Sequence, residues 1–297
     1  MKQQRKKRKK LYQSKVDPPL AVRILIMITL LLAIGALSLL MILHEFGHFL
    51  LAKLFNVKVE GFSIGLPPKI FSFKRGEVTY SLNAIPFGAF VKINEEENDQ
   101  NKRSFFNQKT SKKVAIFLGG VGMNFIIAFF VFTLLFTIGF PKSLLPSNYL
   151  ISSSASSTLV KYPLHQSFLE TGRFLSFVLV ESLKGLKIAF GKIFTHFDVS
   201  DLLGPVGLVA ITSRSFEYGW RYGIYILGLI SYALAIFNLL PIPALDGGRL
   251  LFLFLGKIYK KPISQKTETL IDNITFALLM CLAVLVTIKD IRFFYLH

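Results

Sequence analysis

Long apolar runs separated by short polar interruptions set the plan of this chain. Ile24–Leu43 carries no charged side chain, and a bilayer core about 30 Å thick needs roughly 20 helical residues to cross. Val114–Phe140 is a second run, with Asn124 its most polar member, and Gly223–Leu245 is a third. Ile274–Ile288 is shorter and draws on its flanks, where Asp272 and Lys289 can snorkel toward the interfaces. The pattern predicts an all-α integral membrane protein with four transmembrane helices, over about 24–53, 114–140, 223–245 and 272–289. Phe174–Phe190 differs: Glu181, Lys184 and Lys187 recur among its apolar positions. That pattern suits a helix lying along a membrane surface rather than one crossing it.

Between the first two runs the periodicity changes. "KIFSFKRGEVTYSL" reads as two strands, Lys69–Phe73 and Val78–Leu82, around a Lys-Arg-Gly-Glu turn. "IPFGAFVKI" follows, with Gly88 free to adopt unusual backbone angles, and then the solvated acidic loop "NEEENDQNK". A β-hairpin beside a membrane helix exposes a strand edge, which must be covered or used, for instance by an extended peptide. Farther on, "SLLPSNYLISSSASSTLVKYP" is a polar loop. The stretch between the second run and the surface helix is about 30 residues, below the size of an independent domain. A short basic connection from about 249 to 272 joins the last two spans.

Composition agrees with a membrane protein: 52% of the 297 residues are hydrophobic and the mean hydropathy is +0.52. The net charge of +18 resides largely in short loops and in a basic tail, residues 1–20, with Lys2, Arg5, Lys6, Lys7, Arg8, Lys9, Lys10 and Lys15. Attraction to anionic lipid and the setting of topology account for it, and no nucleic-acid partner is expected. Cys281 is the sole cysteine, which excludes an intramolecular disulfide and a thiolate metal cluster. The first apolar run is too long for a secretory signal and no small-residue cleavage site follows, so it is expected to remain in the mature protein.

One feature breaks the apolar pattern. His44, Glu45 and His48 follow directly on the first uncharged run. Residues four apart share a helix face, so His44 and His48 aim at one spot with Glu45 beside it. Two neutral imidazoles suit Zn²⁺, which lowers the pKa of a bound water to about 7, and a neighbouring glutamate can take the proton as general base. An ionisable residue in a membrane helix costs about 2.5–3.5 kcal/mol on insertion scales. Three within five positions need a compensating partner, and a metal with its water supplies one. A third ligand comes from elsewhere: Asp246, in "NLLPIPALDGGRLL", is the first carboxylate after the third apolar run. Pro241 and Pro243 break the helix before it and Gly247 and Gly248 permit a tight turn.

With both motifs in hand, the chain resembles the site-2 proteases, a family of intramembrane zinc metalloproteases. Its H-E-x-x-H hallmark matches His44–His48. Its N-x-x-P-x-P-x-L-D-G hallmark matches Asn238, Pro241, Pro243, Leu245, Asp246 and Gly247. "GFSIGLPPKIFSF", "AIPFGAFVKI" and "LGPVGLVAI" read like the bacterial branch that cleaves anti-sigma factors, and the likeness covers most of residues 24–292. It implies Zn²⁺ held by His44, His48 and Asp246, with Glu45 as general base. It implies that Asn238 orients substrate or binds the oxyanion, and that Asn124, matching a second-span Gly-Pro-x-x-Asn motif, also handles substrate. The hairpin at 69–93 matches a membrane-associated β element that clamps an unwound substrate. The implied activity is regulated intramembrane proteolysis of single-span membrane proteins.

Three departures qualify the resemblance. Val121 stands where the second-span motif has proline. The peptide-binding PDZ domains usual between spans two and three have no counterpart, nor does the nucleotide-sensing C-terminal domain of the sporulation branch. The catalytic domain is therefore expected over residues 21–292 with no accessory domain, and substrate selection must differ or depend on a separate presenting or regulatory protein. The family topology puts the N-terminus outside and the active site toward the cytoplasmic side of the plasma membrane. The basic loop before span two agrees with this, while the basic tail opposes it. Two other readings share the motifs: a different membrane metalloprotease class whose third ligand is a glutamate such as Glu77 or Glu181, and a non-catalytic scaffold that binds membrane spans.

Overall fold

The computed structural model describes residues 20–94, 101–145, 158–196, 198–261 and 263–295. The basic tail, most of the acidic loop and most of the Ser-rich loop lie outside the described residues. Among the described residues, four helices are long and apolar enough to cross a membrane: α1 (Leu20–Leu54), α2 (Thr110–Ile138), α5 (Trp220–Leu239) and α7 (Gln265–Tyr295). They coincide with the four apolar runs. Helix α3 (Leu164–His196) covers the amphipathic run and is not one of the four. Its charges pair along its exposed side, Glu170 with Arg173 and Glu181 with Lys184.

Two shorter α-helices are also found among the described residues. Helix α4 (Pro205–Glu217) opens with proline in its first turn, where the missing N–H costs nothing and the ring presets φ. Helix α6 (Asp246–Ile258) occupies what the sequence suggests is a basic connection. Its Leu250 and Leu253 pack against a buried core, so tertiary burial stabilises a helix that Gly247 and Gly248 would otherwise weaken. Helix α5 stops at Leu239 rather than near 245, because Pro241 and Pro243 lack the N–H groups another turn would need and restrict the residues before them.

The β element is larger than one hairpin. Strands β1 (Val59–Arg75) and β2 (Val78–Ile93) both bend, so each contributes twice. Residues 71–75 pair with 78–82, as expected around the turn, but 79–82 also pair with 61–64, and 61–64 in turn pair with 89–92. The resulting order across the sheet is 89–93, 59–64, 78–82, 71–75; the two outer pairings are antiparallel, and 61–64 runs alongside 79–82 in parallel register. Segment 89–93 is one edge. A second, minimal pair joins β3 (Phe140–Pro141) to β4 (Leu159–Val160).

Two buried clusters flank the middle of α2. Beneath the sheet, Ala52, Val57, Val59, Phe62, Phe105, Ile116 and Phe117 pack together. At the other end, Phe132, Phe136, Phe140 and Phe174 interlock, with ring centroids of Phe136 and Phe140 4.6 Å apart and those of Phe132 and Phe174 4.9 Å apart. Such aromatic pairs contribute about 0.5–1.5 kcal/mol each beyond area burial.

Helix α7 packs chiefly on α4, and its apolar side chains are mostly exposed. A buried carboxylate holds it. Asp290, 0% exposed, accepts hydrogen bonds from Gly204 N–H and Gly207 N–H, both 2.9 Å, at the start of α4. There the helix leaves its first N–H groups unpaired and its dipole favours negative charge. Lys289 donates to the carbonyls of Ser200 and Leu202 just before that helix. Charge-assisted hydrogen bonds contribute about 1.5–3 kcal/mol each. Asp290→Leu is therefore expected to destabilise the protein by about 3 kcal/mol, and Asp290→Asn, which keeps an acceptor, by less. Thermal unfolding in detergent checks the ranking; equal effects of Asn and Leu would remove the charge argument.

Candidate metal centre

Helix α1 runs unbroken through His44, Glu45 and His48 to Leu54, which fixes both imidazoles on the face turned to α2. The two helices cross at glycines. A Cβ on Gly47 would strike the carbonyl of Gly119, and one on Gly119 would strike the carbonyl of Gly47. A Cβ on Gly120 would fall against His48 Nε2 and the His44 ring. The space the imidazole rings occupy is thus space that α2 leaves by having no side chain at 120, while the bare position 119 lets the two backbones approach.

Asp246 reaches the same point from the other side. It is the first residue of α6, placed by the turn that follows α5. Ala244 in that turn adopts φ 68°, and its N–H donates to Asp272 Oδ1 of α7 at 2.8 Å. Gly247 and Gly248 sit where a Cβ would meet backbone of residues 239–243.

The result is a near-equilateral triangle. His44 Nε2 and His48 Nε2 are 3.3 Å apart, and Asp246 Oδ2 lies 3.3 Å from each. Asp246 Oδ2 is buried, and among the described residues no donor bonds to it in hydrogen-bond geometry. Three donor atoms so close match a tetrahedral zinc site: ligands at about 2.0–2.1 Å in tetrahedral array stand about 3.3–3.4 Å apart. The donor set of two imidazoles and a carboxylate fits Zn²⁺.

The residues around the triangle are held by backbone and by α2. His48 Nδ1 lies 2.8 Å from the Ile116 carbonyl, which fixes the proton on Nδ1 and leaves Nε2 bare toward the centre. His44 Nδ1 lies 3.1 Å from the Asn124 amide. Glu45 Oε2 accepts a hydrogen bond from Val91 N–H at 3.1 Å, so the edge strand of the sheet meets the glutamate of the motif. A cavity of about 540 Å³ opens here, lined among others by Glu45, His48, Asp246, Val91, Phe117 and Arg249. At its rim Lys92 and then Asn94, both bonded to Glu60, hold the Glu60 carboxyl below its ordinary value.

Of the residues singled out in the sequence, His44, Glu45, His48, Asp246 and Asn124 come together. Asn238 does not join them: its described hydrogen bond runs to Leu234 O of its own helix, at 3.0 Å. Glu77 is engaged by Arg103 and Glu181 by Lys184, and neither is drawn to the histidines. The Ile116 carbonyl and the Val91 amide carry no mark in the sequence, because any residue supplies a backbone group.

A profile of peptidase family M50 matches residues 32–282. A Clostridium acetobutylicum protein provisionally named a zinc metalloprotease is 30% identical, over 88% of this chain and 97% of its own length. Zinc metalloprotease RasP of Shouchella clausii is 24% identical over 89% of this chain and 98% of its own. RasP of Geobacillus kaustophilus is 42% identical over 36% of this chain and 25% of its own length.

The geometry predicts which substitutions empty the site. Asp246→Ala and His48→Ala are each expected to take the purified protein from about one zinc per chain to none after equilibrium dialysis. Gly120→Ala should do the same without removing a donor atom. Full zinc in Asp246→Ala would transfer the third-ligand role to a glutamate such as Glu77 or Glu181.

Proposed function

The chain belongs to peptidase family M50, and on that premise we propose that His44, His48 and Asp246 hold its zinc, that Glu45 is its general base, and that it cuts single-span membrane proteins from within the bilayer. It is a zinc metalloendopeptidase of the site-2 type. The observation that carries the site assignment is the 3.3 Å triangle of bare donor atoms with the motif's glutamate beside it.

Placement in a membrane is supported by the outward faces of the long helices. Leu31 is 65%, Phe130 68% and Leu278 66% exposed, and in water such surfaces would drive aggregation. Lys53, Lys58, Lys102, Arg103, Lys112 and Lys113 gather at the end of α1 and the start of α2. By the positive-inside rule this end, with the metal centre near it, faces the cytoplasm across the plasma membrane. Helix α1 crosses once, so its first turn lies on the opposite side.

Bound zinc supplies a Lewis acid that polarises the scissile carbonyl and acidifies water. The protein's own groups do the rest. Glu45, steadied by Val91 N–H, accepts the proton of the attacking water and delivers it to the leaving amine. The edge strand 89–93 offers backbone pairing to an unwound substrate, which a helical substrate cannot use because its carbonyls are bonded internally. Alignment to the Shouchella clausii RasP extends over 413 positions while covering 89% of this chain, so that relative carries a long stretch without a counterpart here. That supports a catalytic domain over residues 21–292 without a PDZ domain, and substrate choice that relies on the strand edge or on a separate presenting protein.

Co-expression of a library of single-span proteins with wild type and Glu45→Gln tests the reading. Cleavage is expected to fall by about 10²–10⁴-fold in the variant, with zinc content unchanged; equal products from both would leave a scaffold that binds spans. In the same library, substrates with glycine or proline inside the span should be cut faster than a poly-leucine span. Equal rates would remove the requirement for unwinding.

A further inference from the structure

Asn124 is 0% exposed and is not among the residues lining the cavity beside Glu45. Its amide faces the back of the His44 ring, 3.1 Å from Nδ1. Its own carbonyl accepts a hydrogen bond from Ser231 Oγ of α5 at 2.8 Å, which pins this turn of α2 in place. The resemblance assigns this position to substrate handling, but the geometry points elsewhere. We infer that Asn124 is a positioning residue for the metal centre: it sets the tautomer and the orientation of His44, so that Nε2 offers its lone pair to the point shared with His48 and Asp246. The inference rests on the zinc-site reading above and specifies who supports its first ligand.

The chemistry of the ring compels a partner. If Nε2 is to bind a metal, the imidazole proton sits on Nδ1, and a buried N–H without an acceptor costs about 1–3 kcal/mol. The two ends of an asparagine amide are nearly isosteric, and the hydrogen-bond partners decide which end faces a neighbour. Oriented with Nδ2 on Nδ1, the amide forces the imidazole proton onto Nε2, into the centre; in either orientation the other end of the amide has no partner among the described residues. Turned over, Oδ1 accepts from Nδ1–H and Nε2 is freed. His48 is served in the same way by the Ile116 carbonyl at 2.8 Å. Helix α2 therefore carries both supports, Ile116 and Asn124, on either side of Gly119, which admits the backbone of α1, and Gly120, whose missing side chain admits the rings.

The test is zinc affinity of the full chain in detergent, by competition with a chelating dye, for wild type, Asn124→Leu, Asn124→Asp and a His44→Ala control. Outer partners of metal-bound histidines typically account for about 10–100-fold in affinity. Asn124→Leu should weaken zinc by that factor, and Asn124→Asp, which keeps an acceptor on Nδ1, should stay near wild type. The visible spectrum of the cobalt-substituted protein should shift in Asn124→Leu and return in Asn124→Asp. If the zinc-free Asn124→Leu protein shows no cooperative unfolding, Asn124→Ser, too short to reach the ring, carries the same expectation. Wild-type zinc affinity in a folded Leu or Ser variant overturns the inference, and cleavage lost in that variant would return Asn124 to the substrate. Equal loss in the Asp and Leu variants also overturns it. Absence of His44-dependent zinc in wild type would instead overturn the site reading on which the inference stands.

Discussion

The tight crossing of α1 and α2 at Gly47 and Gly119 is the constraint on which the site depends. Each glycine lies against the other helix's carbonyl, so any larger residue would drive the helices apart. At that separation the Ile116 carbonyl and the Asn124 amide reach the backs of the two imidazoles without a loop or an intervening water. Lipid tails are as apolar as leucine, so helices in a bilayer gain little from apolar contact and associate through close packing and interhelical hydrogen bonds. The same economy recurs through the bundle. Ser213 donates to Thr29, Thr133 to Thr171 and Ser231 to the Asn124 carbonyl, each a small polar side chain bridging two helices.

The third ligand depends on a different device. Asp246 cannot come from a helix that continues through it, because α5 must end for its carboxylate to turn back toward α1. The two prolines end it, and the turn they leave has free backbone groups. One of these, Ala244 N–H, is taken by Asp272. Helix α7 is otherwise peripheral, yet it is tied at one end to the turn that bears the ligand and at the other, through Asp290, to α4. A helix with little buried surface thus serves as a strut between two polar anchors.

How much of this was legible in the sequence follows from the kind of signal each part leaves. The long helices were, because an uncharged run of sufficient length has few alternatives. So were His44, Glu45 and His48, whose spacing is itself the geometry, and Asp246, isolated by prolines and glycines. The inner half of the sheet was not: Gly61, Gly65, Pro67 and Pro68 disfavour strand by propensity, and only pairing of 61–64 with both 79–82 and 89–92 makes that segment extended. Helix α6 was hidden by Gly247 and Gly248, which mark a turn until the packing of Leu250 and Leu253 is known. Asn124 was visible as a polar residue in an apolar run, but which atom it faces is a property of the crossing and not of the run.

The meeting of sheet and glutamate at Val91 has a consequence for register. Val91 N–H points away from β1 to Glu45, so its strand presents that side of its backbone to the site. Side chains and hydrogen-bonding groups alternate with period two, and a slip of one residue would turn Val91 N–H inward and leave Glu45 without its partner. The slip is opposed at the end of the strand. Glu60 binds Lys92 across the sheet and accepts from Asn94, while Asn94 N–H donates to Lys58 O. A peptide strand laid along 89–93 would inherit that register, so its distance along the edge from Glu45 would be set by the pairing of Glu60 with Lys92, well outside the metal ligands themselves.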